Sequence, residues 1–257
     1  MKRQLALLLF VPSVLFAQSR FDGTWEMKMD TIQFSNTPEE YLLDKGVYHC
    51  LTCVPKVDVK ADGTDQKVDG HAYFDTYAVR VVDANSVEFT SKKAGKTTFV
   101  AVEIVSPDGN TMTEEFTNTI EAQTVTGKAM FTRASKGPIG AHALSGSWIM
   151  RTVRNDSSSG PTSTYQATKD GLTWSDSNSQ SYDAKFDGKD YAVQGDPSHT
   201  MVSLRRIDED TIEQTEKQDG KVIRVTRMTV ANDGKSMKVE TTAQRGTTMT
   251  YTAEKQR

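Results

Sequence analysis

Apolar and polar residues alternate along this chain with a period of two, and helical spacing is nearly absent. Thr98, Val100, Val102 and Ile104 alternate with Phe99, Ala101, Glu103 and Val105, so nearly both faces of this stretch are apolar. Such a run is a buried strand in an all-β protein. The pattern occurs twice. Asp83 to Thr117 returns 125 residues later as Asp208 to Thr242, without a gap and with 13 of 35 positions identical. The identities include the glycine turns Gly95/Gly220 and Gly109/Gly234, which keep their separation. The unit is therefore strand, turn, strand, turn, strand: a β-meander used twice.

The copies differ in polarity. Around Val225 and Val230 the second carries Arg224, Thr226, Arg227 and Thr229. The first half is expected to have the drier interior. Polar residues facing inward would give the second half a wet cavity, the alternative being that they face solvent.

The starts also match. Phe21-Asp22-Gly23-Thr24-Trp25 has its counterpart in Leu144-Ser145-Gly146-Ser147-Trp148. A glycine lets the chain enter tightly, and the following indole suits a plug at the closed base of a barrel. Ala134 to Ala143, rich in small residues and containing Pro138, reads as a linker. The expected division is a leader at 1–19, a first barrel at 20–133, a linker at 134–143 and a second barrel at 144–257. Each half then has enough residues for about eight to ten strands and is expected to close its own barrel.

A formal charge of −3 and a pI near 5.9 leave no basic excess for phosphate backbones, which excludes nucleic acid as an expected partner. Lys2 and Arg3 precede an apolar run from Leu5 to Phe16 that includes Pro12. This is the form of a secretory leader, too short to span a bilayer, with cleavage after Ala17 or Ser19. The expectation is a soluble periplasmic or secreted protein without a membrane span. In an oxidising compartment Cys50 and Cys53 would form a local disulfide. Free redox thiols are one alternative. Zinc held by His49, Cys50 and Cys53 is another, and it needs a fourth ligand from elsewhere.

With its paired Gly-x-Trp starts and meandering strands, the chain resembles the lipocalin and fatty-acid-binding-protein group. The resemblance implies two tandem antiparallel up-and-down β-barrels, each with room for a small apolar or amphipathic ligand. It also implies a basic residue on the last strand packed over each tryptophan. Arg133 fits that place in the first half, and Lys255 or Arg257 in the second. The stretch Tyr191 to Arg206, with Asp219-Gly220-Lys221 and Asp233-Gly234-Lys235, is also similar to exported bacterial proteins without an assigned function.

Catalytic signatures fail. There is no G-x-S-x-G and no H-E-x-x-H, and His49, His71, His142 and His199 are scattered. Gly95-Lys96-Thr97 lacks the first glycine of a phosphate loop, since Thr90 stands there. Glu88/Glu213 and Glu115/Glu240 recur, but repeated charges on strands more often face water. The expected protein is a non-enzymatic binder of a small ligand, with no cofactor, no metal and no catalytic residue. Trp174, Tyr182, Phe186 and Tyr191 are the candidate ligand-binding residues; Trp25, Arg133 and Trp148 are the candidate plugs. The alternatives are an interaction module with filled barrels and, further off, a barrel hydrolase or isomerase. Oligomeric state is left open. N-terminal sequencing of protein recovered from periplasm or medium should start near Gln18 or Arg20; an intact Met1 in a membrane fraction would refute export.

Overall fold

The computed structural model describes residues 19–120, 124–156 and 160–257. The leader, apart from Ser19, lies outside the described residues. In chain order the elements are β1 (Gly23–Met27), a 3-10 turn (Met29–Thr31), β2 (Gln33–Phe34), β3 (Glu39–Asp44), β4 (Val47–Cys50), β5 (Val57–Lys60) and β6 (Gln66–Lys67). The first meander is β7 (Thr76–Val81), β8 (Ser86–Lys93), β9 (Lys96–Val105), β10 (Thr111–Asn118) and β11 (Val125–Lys136). There follow β12 (Gly146–Asn155), β13 (Thr162–Ala167), β14 (Gly171–Asp176), β15 (Ser181–Lys185) and β16 (Tyr191–Ala192). The second meander is β17 (Met201–Arg206), β18 (Thr211–Gln218), β19 (Lys221–Val230), β20 (Ser236–Ala243) and β21 (Thr248–Lys255). No helix among the described residues is long and apolar enough to cross a membrane.

These strands form two nearly closed antiparallel barrels, and the repeat places each meander in its own barrel as expected. The first runs β5-β4-β3-β12-β11-β10-β9-β8-β7-β6, its ends meeting at an Asp62–Arg80 bridge. The second runs β15-β14-β13-β1-β21-β20-β19-β18-β17-β16, with a Ser181–Gln194 bridge between its ends and β2 added alongside β21.

The two Gly-x-Trp strands have changed places. β1 lies in the second barrel, with Trp25 opposite Ser163 and Lys255. β12 lies in the first, with Trp148 opposite Glu39 and Arg133. The expected boundaries at 133 and 144 therefore do not separate the barrels. Ala134 to Lys136 belong to β11, and 137–145 is a hairpin connection between paired strands β11 and β12. It is pinned to the first barrel by His142, whose backbone N–H donates to Leu43 O at 2.9 Å. The chain crosses between barrels at 28–38 and again between Asn155 and Thr162. Composition misled here because a hairpin and a linker both favour small residues and proline.

The plugs are built alike. Trp25 and Trp148 are buried, and each indole N–H donates to the carbonyl four residues earlier, Phe21 O and Leu144 O, at 2.8 Å in both cases. The basic partners are crossed with respect to the expectation. Arg133 lies 3.8 Å over the Trp148 ring and donates to Ser145 O and Ala143 O at 2.7 and 2.6 Å. Lys255, not Arg257, lies 4.8 Å over Trp25. Both contacts are cation–π interactions on a buried ring, each worth about 0.5–2 kcal/mol. Cys50 and Cys53 form a disulfide.

Exchange makes each half depend on the other. Cleavage at a protease site inserted at exposed Ile139 should leave the two pieces together on native gel filtration, parting only in denaturant. Two folded pieces eluting separately would show that each half can reclaim its own tryptophan strand.

Candidate functional site

A cavity of about 800 Å³ occupies the end of the second barrel opposite Trp25. Its walls come from inward positions of β13, β14, β15, β18, β19, β20 and β21. Its rim includes Gly70 to Phe74 of the first barrel, and Tyr73 anchors that segment by donating its hydroxyl to Asp196 Oδ1 at 3.1 Å. Burial opposes ionisation of Asp196, but bonds from the hydroxyl and backbone N–H of Ser198 and from Thr200 outweigh it and hold this carboxyl down to about 2. A second docking contact is made by Arg245, which donates to Thr52 O and Pro38 O at 2.9 and 3.0 Å.

The repeat explains why the cavity lies in this barrel. Phe89, Phe99 and Phe116 point into the first barrel; Phe99 stacks on Phe116 at 6.0 Å, and Phe89 meets Tyr48 edge-on at 5.2 Å. An offset of 125 replaces these three phenylalanines with Gln214, Arg224 and Thr241, all cavity-lining. Each replacement removes an aromatic ring from the interior and adds a polar group. Of the polar residues noted on β19, Arg224 and Thr226 face the cavity, whereas Arg227 pairs with Glu213 on the outer surface at 3.0 Å.

On the wall, polar groups form a chain. Tyr182 donates its hydroxyl to Gln214 Oε1 at 2.7 Å, and Gln214 Nε2 donates to Glu216 Oε1 at 3.0 Å. Arg224 donates from Nε and Nη2 to Glu216 Oε2 at 2.9 and 2.6 Å. Glu216 is 9% exposed, yet both its oxygens are occupied. Tyr251 stands nearby, its hydroxyl pushed up to about 12 by burial. Beside this chain Trp174 stacks on Tyr182 with ring centroids 5.2 Å apart, the two residues being directly paired across β14 and β15.

Trp174 and Tyr182 thus line the cavity as expected of ligand-binding candidates, but Phe186 and Tyr191 do not. Phe186 lies beyond β15 under the Arg206 guanidinium, 4.6 Å from its ring, and Tyr191 donates to Asp187 Oδ2 at 3.1 Å beyond the Asp187-Gly188 turn. Composition marked all four alike; strand ends and turn geometry divide them. Gln214, Glu216, Tyr73 and Asp196 were not singled out from sequence. The exchange of three phenylalanines for polar residues between repeats was the signal for the first two.

The first barrel carries its polar groups deeper. Glu103 and Glu114 are directly opposite on β9 and β10, both pointing inward, where the second barrel has Met228 opposite Val239. Burial, then the charges of Glu114 and Glu39, pushes Glu103 well above the usual carboxylate range. Burial, then Glu39, pushes Glu114 up to about 7. Oε2 of Glu103 has no hydrogen-bond partner among the described residues.

No protein-family model, curated protein or solved structure matches this chain.

The facing carboxylates carry a pH dependence of known sign. Their folded-state affinity for protons is raised, so the associated stability is present below about 4.5 and is lost as pH rises towards about 7. Glu103→Gln should therefore raise stability near pH 8 by roughly 1 kcal/mol or more, with the gain vanishing near pH 5. Thermal melts across that range are the measurement. A variant less stable than the parent at alkaline pH would refute the assignment.

Proposed function

We propose that the protein is an exported, non-enzymatic binder of a small amphipathic molecule, held in the cavity of the second barrel. The carrying observation is a cavity of about 800 Å³ in which a stacked Trp174–Tyr182 pair stands beside a fixed polar chain, Tyr182–Gln214–Glu216–Arg224. Ligand sites have volumes of roughly 300–1,000 Å³ and combine apolar and aromatic surface with a few placed polar groups. Met228, Val239 and Met249 supply the aliphatic part of this lining. Tandem barrels closed by Gly-x-Trp strands are consistent with the lipocalin-like reading of the sequence, and the Cys50–Cys53 disulfide is consistent with export.

The polar chain favours binding over chemistry. A general acid or base needs a free site for the proton it moves, whereas Glu216 has both oxygens engaged and Asp196 is tied to its own turn. The first barrel supports a different role. Its phenylalanine-filled interior makes it a scaffold that presents Gly70 to Phe74 to the rim of its neighbour.

Phenylnaphthylamine, an uncharged dye that brightens in apolar surroundings, should bind saturably at concentrations on the order of tens of micromolar. Thr241→Phe places at this position the residue that the first barrel has at Phe116, and it should weaken binding about tenfold or more while leaving the melting temperature close to that of the parent. Equal binding by parent and variant would put the dye elsewhere.

A further inference from the structure

We propose that the cavity takes an uncharged amphipathic ligand and turns anions away, and that Glu216 sets this preference by occupying Arg224. The inference rests on the binding role proposed above and adds the class of ligand.

Arg224 is the one arginine or lysine among the described residues that line the cavity, and it faces three lining carboxylates, Asp176, Asp196 and Glu216. Three negative charges against one positive leave a net of −2 around an enclosed space (1 − 3 = −2), and the field of such a lining repels an entering anion. Arg224 would be the natural partner for a carboxylate or sulfonate, because its planar fork binds such groups through paired N–H donors. Two of its nitrogens, Nε and Nη2, are already committed to Glu216 Oε2. An anion takes the fork of Nε and Nη2 only by displacing Glu216, and at the outer fork of Nη1 and Nη2 it meets the Glu216 charge close by. The displaced carboxylate, 9% exposed and otherwise held by Gln214 alone, would be left charged and short of partners in the wall. Stripping a carboxylate this buried of its cation is costly, even though the Arg224 side chain is half exposed.

The carboxylates are in part already engaged within the wall. Asp176 accepts the backbone N–H groups of Asn178 and Gln180, each at 2.9 Å. Asp196 accepts the N–H groups of Ser198 and Thr200 at 2.9 and 3.1 Å and the Tyr73 hydroxyl. Glu216 and Asp196 thus have both oxygens engaged, and Asp176 is engaged through Oδ1. What the walls still offer an occupant is aromatic surface, aliphatic surface and neutral polar groups such as Gln180, Gln218 and Thr226. That combination fits an uncharged molecule with hydroxyl or carbonyl groups on an apolar frame.

Two dyes sharing one ring system separate the possibilities: phenylnaphthylamine, which is neutral, and anilinonaphthalene sulfonate, which adds an anionic group. The parent protein should bind the neutral dye at least about tenfold more tightly than the sulfonate. Glu216→Gln, similar in shape and uncharged, should release Arg224 and raise the ratio of sulfonate to neutral-dye affinity about tenfold. In the double variant Glu216→Gln/Arg224→Gln that ratio should fall back to the parent's value or below, which assigns the gain to the freed guanidinium. Equal affinity of the parent for both dyes, or an unchanged ratio in Glu216→Gln, would overturn the anion-rejection role while leaving the binding role intact. No saturable binding of the neutral dye by the parent would overturn both.

Discussion

A tryptophan-bearing strand held by the barrel that the other half of the chain builds is the constraint on which the molecule depends. β1 reaches forward to pair with β13 and β21, and β12 stays behind to pair with β3 and β11. In each barrel the strand brings the indole that fills the closed end, and the host barrel supplies the cation that covers it. Neither barrel is closed from one half alone, so the chain passes between the barrels twice. Tyr73 and Arg245 also reach across between them. The cavity rim, built from both barrels, depends on that registration.

Within this frame the two barrels use one meander to opposite ends. The first fills the far end of its interior with Phe89, Phe99 and Phe116 and pays with two carboxylates deeper in. The second puts Gln214, Arg224 and Thr241 at the former positions and Met228 and Val239 at the latter. Polar groups near an opening can bond to one another and to an occupant. Polar groups in the sealed part have only one another, which is why Glu103 keeps an oxygen without a partner. The repeat thus pairs a barrel with phenylalanines inside and a barrel with a cavity through a handful of inward positions, the first four strands of each meander matching in length.

Much of the architecture was legible in the sequence. Period-two alternation, repeated Asp-Gly turns and the duplicated meander are local signals, and the barrels follow from them. The choice of partner was not legible. Two starts with the same Gly-x-Trp are interchangeable by pattern: alternation states which face of a strand is buried and not which neighbour it joins. Arg133 was correctly read as a cover for a tryptophan, yet the tryptophan is Trp148. The site was legible in outline through the polar substitutions on β19. Its wall chain was not, since Gln214 and Glu216 look like any solvent-facing pair until the strand's face is fixed. Phe186 and Tyr191 pack against the core of the second barrel outside the cavity lining, a division that aromatic character alone does not reveal.

The exchanged strands also set an order of assembly during synthesis. The first barrel has all its strands once β12 has been made, so it can close while the whole second meander is still to come. β1 is the earliest strand produced, yet one of its partners, β21, is the last. It must remain unpaired along that edge for over 200 residues of elongation (248 − 27 = 221), a loop closure that slows folding more than it costs in stability. The N-terminal strand is therefore a latch: the hollow barrel is sealed at its base last, by the piece of chain that emerged first.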